Sequence, residues 1–156
     1  MYKAKKIAVI GNYVPRQCGI ATFTTDLCDA LSGHIHNADE NLIAVAMDDI
    51  ETGYDYPARV KFQIRAHSQP DYVRAAEFIN VHKFDVAILQ HEFGIYGGKN
   101  GAHVMHLMQN LRMPIITVLH TVLSKPSEDQ RIIIQKLARY SEFLVVMAHH
   151  AKILLQ

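Results

Sequence analysis

The chain has 156 residues, 49% of them apolar and 20% charged, which is enough material for one hydrophobic core and one domain. Its formal charge is +1, with acids and bases interleaved, so it lacks the basic field that nucleic acid or an anionic membrane surface attracts. Cys18 and Cys28 are the two cysteines, with no C-x-x-C and no further thiol; this argues against a disulfide framework or a zinc knuckle and fits a reducing, cytoplasmic setting.

The opening "MYKAKKIAVI" is basic, but its apolar run is only of strand length, and no stretch approaches a membrane span, so neither a signal peptide nor an anchor is expected. "KIAVI" is the first of six Val- and Ile-rich runs that read as parallel strands covered on both faces, followed by "NLIAVAM", "VKFQI", "DVAILQ", "PIITVL" and "EFLVVM". Between them, residues 20–33, 70–84, 100–112 and 126–140 carry apolar positions at helical spacing. Pro70-Asp71, Asn100 and Pro126-Ser127 supply start signals. The segment "DDIETGYDYPAR" between the second and third strands reads as a loop. The alternation predicts a doubly wound α/β domain, a Rossmann-like three-layer sheet ordered 3-2-1-4-5-6. The closing "AHHAKILLQ" starts a helix while apolar residues are still arriving, as a truncated domain would.

Ligands of such sheets sit beyond the carboxyl ends of the strands, so the residues just after each strand carry the functional reading. After the first strand, "GNYVPRQCG" separates Gly11 and Gly19 too widely for a G-x-G-x-x-G dinucleotide fingerprint, which lowers NAD as a ligand. Gly19 instead opens a helix whose unpaired N–H groups attract an anion and whose missing Cβ lets a phosphate approach; the alternative is a glycine that merely permits a turn. After the fourth strand, "QHEFGIYGGKNGAH" is not a phosphate-binding G-x-x-x-x-G-K-[ST] loop. It places Gln90, His91 and Glu92 at the strand end, followed by a pliable glycine loop at Gly97 and Gly98. The imidazole and carboxylate could bind sugar hydroxyls or relay a proton, or else close a hydrogen-bonded strand end. His120 and Thr121 leave the fifth strand toward the same cleft. His103 and His106 share a helix face without H-E-x-x-H or an acid in register, so no metal is expected there. His149 and His150 read as solvated. Cys18 has no evident partner base, and no G-x-S-x-G provides a nucleophilic serine.

Together, "PRQCGIATFT", "QHEFGIYGG" and "PIITVLHTVL" resemble the N-terminal domain of family 4 glycosyltransferases, the retaining enzymes of GT-B architecture, over nearly the whole chain. The resemblance implies one half of a two-domain fold, in which this half mainly binds the acceptor and a second domain holds a UDP- or GDP-sugar; neither cofactor nor metal is implied. Position by position, it places Gly19, with Arg16 in the same loop, at the donor diphosphate. His120 then touches the transferred sugar and, with Glu92, forms the catalytic set, while His91 and Glu92 fall in the sugar and acceptor pocket and Gly97, Gly98 and Thr121 belong to the substrate-binding residues. Backbone donors would stabilise the leaving phosphate, which can itself accept the acceptor's proton, so Glu92 need not act as a base. The donor-side domain and its pair of glutamates about two helical turns apart are missing. A lone half-site is therefore expected to be inactive by itself, because transition-state contacts are divided between two domains, and its uncovered side is expected to promote self-association. Two other readings stay open: a non-catalytic carbohydrate- or nucleotide-binding module, and a protein-interaction domain that keeps the fold.

Overall fold

The computed structural model describes residues 5–155. Six parallel strands, β1 (Ile7–Gly11), β2 (Leu42–Asp48), β3 (Val60–Arg65), β4 (Val86–His91), β5 (Ile115–Leu119) and β6 (Phe143–Val146), form one sheet in the order β3-β2-β1-β4-β5-β6. This is the order the sequence predicts. It is reached through α1 (Gly19–Ser32), a short α2 (Ala38–Asn41), α3 (Gln69–Val81), α4 (Val104–Met108), α5 (Glu128–Tyr140) and α6 (His149–Leu154).

Period-two alternation splits the strand side chains between two cores. Ala8, Ile10, Ile43, Val45, Met47, Ala87 and Leu89 pack with α3, α4 and α5, whereas Ile7, Val9, Leu42, Ala44, Ala46, Ile88 and Val118 pack with α1. The central strands are thus buried on both faces. The edge strands are not: β3 alternates exposed and covered residues, and Phe143 and Val145 on β6, with Met147 just after it, are 63%, 42% and 52% exposed. The expectation that all six runs are covered on both faces therefore holds only for the interior of the sheet, since an edge strand meets one neighbour and fewer helices.

The helix starts follow their local chemistry. Ser127 caps α5 in a reciprocal capping box with Gln130, and Pro70 sits in the first turn of α3, where a missing N–H costs nothing. The predicted helix over 100–112 is shorter than expected. Asn100 and Gly101 adopt left-handed backbone (φ 53° and 77°), giving a 3₁₀ turn at Lys99–Gly101 before α4 begins at Val104. No helix among the described residues is long and apolar enough to cross a membrane, and both cysteines are free thiols.

Candidate functional site

The carboxyl ends of β1, β4 and β5 are adjacent in the sheet, so the loops leaving them meet by construction. Their contacts begin at Gly11, the last residue of β1. A Cβ there would lie 2.8 Å from Gln90 Cβ on the neighbouring β4, so the glycine makes room for the Gln90 side chain. Gln90 is fully buried, and its Oε1 meets His120 Nε2 at 2.8 Å. With that oxygen accepting, a neutral His120 carries its proton on Nε2 and keeps Nδ1 as an acceptor. The backbone adds a second tie, His120 N–H donating to His91 O at 2.9 Å. Phe23, on the second turn of α1, packs edge-on against the His120 ring with centroids 4.9 Å apart. His120 thereby joins β4, β5 and the N-terminal end of α1. Burial holds its pKa below the ordinary histidine value, partly offset by the charge of Glu92, which favours a neutral imidazole near pH 7.

The loop before α1 is held by Asn12, 1% exposed, whose Nδ2 donates to Cys18 Sγ at 3.3 Å while its Oδ1 accepts from Arg16 Nη1 at 2.9 Å. Cys18 caps α1, its sulfur accepting from Ala21 N–H at 3.4 Å, and its own N–H goes to Arg16 O. The next two amides, of Gly19 and Ile20, have no protein acceptor among the described residues. Gly19 is exposed, and a Cβ on it would meet nothing within 4 Å. An open pair of helix-initial donors is a site an oxyanion can occupy. Arg16 is less available than the sequence suggests. Its guanidinium is held by Asn12 and by Asp49 Oδ2 at 3.0 Å, which offsets its charge and braces the ends of β1 and β2.

A cavity of about 320 Å³ opens beside His120, lined by Leu119, Thr121, Val122, Met147, His150 and Leu154 among others. His150 is half of a pair expected only to be solvated, yet it shares the pocket; its position after the β6 end was the signal. Glu92 lies within electrostatic reach of His120, but its Oε2 accepts from Gly94 N–H at 2.7 Å and closes its own turn.

Two expectations need correction. His91 follows Gln90, so alternation sends its ring to the opposite sheet face, where it is 0% exposed. There it lies against Phe93 (5.1 Å, edge-on) and Tyr96 (6.1 Å, stacked), and neither ring nitrogen finds a partner among the described residues. Burial, reinforced by His120, lowers its pKa to about 4. In this arrangement His91 fills the core instead of lining a substrate pocket. Nor is the Gly97-Gly98 loop pliable where it matters. Gly97 is buried, its N–H donates to Tyr72 Oη at 3.0 Å, and a Cβ on it would fall 1.9 Å from Ala66 O. Tyr72 in turn donates to Ala66 O at 2.8 Å, riveting the loop to the end of β3. Gly98 has φ 79° and stacks close to His103, so its glycine is required by backbone conformation.

His103 is occupied by this packing, with Nε2 at 3.2 Å from Gln69 Nε2 and Nδ1 at 3.4 Å from Ala66 O. No cluster of three or more His, Cys, Asp or Glu side chains suited to a metal occurs among the described residues. Sequence reasoning missed Asn12 and Phe23 and the room-making role of Gly11; the first could have been found as a polar residue directly after a buried strand. Comparison of the chain with protein-family models and with curated proteins finds no match.

Proposed function

We propose that the chain is the acceptor-side half of a retaining glycosyltransferase, working with a second, donor-binding domain on a UDP- or GDP-sugar and a carbohydrate acceptor in the cytoplasm. The observation that carries this reading is the junction at His120: one imidazole tied to Gln90 on β4, packed on Phe23 of α1, and set beside a cavity at the β5 end. The amides of Gly19 and Ile20, unpaired among the described residues, open the same helix. Departure of a nucleoside diphosphate builds negative charge that such amides stabilise, and a neutral imidazole with Nδ1 free can accept a hydrogen bond from a sugar hydroxyl. His91 takes no part in this version, and Glu92 tunes His120 through its charge without removing a proton.

The test is sugar transfer measured on the two-domain form that the proposal requires. His120→Ala is expected to lower kcat by roughly a hundredfold or more, the scale of losing one transition-state hydrogen-bonding group. Unchanged turnover would overturn the reading. A non-catalytic binding module is favoured instead by the rigid Gly97 loop, which gives no closing lid; it would bind a nucleotide sugar through Gly19 and His120 with no turnover in any form.

A further inference from the structure

A second cavity, of about 440 Å³, lies on the α1 face toward the opposite edge of the sheet from His120. Tyr13 and Val14, which follow β1, line it with Thr25 and Asp29 of α1, Asp39 of α2, Pro57, Ala58, Arg59 and Lys61. None of these residues belongs to the His120 junction. Its size falls within the roughly 300–1,000 Å³ of small-molecule pockets.

The charge pattern is unusual for a structural gap. Arg59 has a side chain only 20% exposed, and its nearest carboxylate is Asp29, with Nη2 3.7 Å from Oδ1, too long for a hydrogen bond. Its Nη1 is buried and meets no acceptor among the described residues. A guanidinium presents five N–H donors; with Nη1 enclosed, it is the exposed fifth of the Arg59 side chain that lines the cavity, where its charge attracts an oxyanion. Lys61 adds a second cation at the same wall. Asp29 and Asp39, however, would repel a bare anion unless the ligand also brings donors to them. Hydroxyl groups do this, the Thr25 hydroxyl, which donates to Ala21 O at 2.9 Å, can accept from a further one, and Pro57 with Val14 supplies apolar surface for a sugar face.

We propose that this cavity binds a monophosphorylated sugar or polyol, its phosphate on Arg59 and Lys61 and its hydroxyls on Asp29, Asp39 and Thr25. Occupancy would hold the β2–β3 loop against α1, the helix whose first turn opens on the His120 rim.

Calorimetric titration of the chain with glucose 6-phosphate, gluconate, glucose and inorganic phosphate tests the assignment. Glucose 6-phosphate is expected to bind at least tenfold more tightly than the other three. Arg59→Met is expected to weaken it roughly tenfold or more, on the scale of a charge-assisted hydrogen bond. Lys61→Ala and Thr25→Val provide the same comparison should the Arg59 variant fail to fold, each with a smaller loss, while His120→Ala leaves the affinity unchanged. The proposal is overturned by any of three results: no heat with glucose 6-phosphate at millimolar concentration; equal affinity for inorganic phosphate or gluconate; or a loss that follows His120 in place of Arg59 and Lys61.

Discussion

Two glycine-bearing loops leave neighbouring regions of the same sheet edge, and they are opposites. At the start of α1, Gly19 is exposed, with open space around its missing Cβ and its N–H unpaired among the described residues. After β4, Gly97 is buried, its N–H is taken by Tyr72, and Ala66 O occupies the place where a Cβ would go. Both look alike as letters in a sequence. The difference teaches that a glycine after a strand signals either access for a ligand or close approach of the chain to itself, and only the third dimension separates them.

Substitution at the closed loop should give the largest effect. Gly97→Ala is expected to destabilise by about 3 kcal/mol or more, since backbone at Ala66 must move to admit the methyl group; urea unfolding measures this. A destabilisation near zero would mean that the loop is as open as the one at Gly19.

His91, below the closed loop, sharpens the comparison through pH. Its folded pKa of about 4 lies below the ordinary 6.5, so the unfolded chain binds the proton more readily between those values. Stability contributed by the neutral buried ring is fully present above about pH 6.5 and falls as pH drops toward 4, by up to about 3 kcal/mol. His91→Leu is expected to remove that slope in urea titrations while staying within about 1 kcal/mol of the parent at neutral pH. Persistence of the slope would assign it to another group.

A smaller acid effect should come from the platform beneath the loop. Arg65 at the end of β3 grips Asp71 of α3 with Nε at 2.6 Å and Nη2 at 2.9 Å, which, with the Arg65 backbone N–H, lowers the carboxyl pKa to about 2. A depressed carboxylate contributes above its unfolded pKa and is lost as pH falls through the folded value. Asp71→Asn is therefore expected to cost about 1–2 kcal/mol at neutral pH and to converge on the parent toward pH 2.

The smallest effect belongs to the open loop. Gly19→Ala is expected to change stability by only about 0.5 kcal/mol, toward greater stability, because alanine suits a helix and nothing obstructs its methyl group.

The sheet order was legible because six apolar runs separated by helical stretches leave few topologies, and Ser127 or Pro70 mark helix starts by chemistry that acts within one turn. His120 and Thr121 were legible as residues leaving a central strand. What the sequence hid was sidedness. Gln90 and His91 are adjacent letters, yet one reaches His120 and the other is enclosed by Phe93 and Tyr96. The alternation that separates them is simple, but knowing which face meets α1 requires the helix to be placed. Long-range contacts were hidden for the same reason: the tie from Tyr72 to Gly97 spans 25 positions, and the fit of Gln90 against Gly11 has no local signature.

The most direct measurement is amide chemical-shift mapping of the isotopically labelled chain during titration with a UDP- or GDP-sugar. The amides of Gly19, Ile20 and His120 are expected to shift together along one saturation curve, with Gly97, already bonded to Tyr72, unmoved. Shifts at Gly97 without any at Gly19, or none at any of these positions at millimolar nucleotide sugar, would contradict a nucleotide-sugar rim at the ends of β1, β4 and β5.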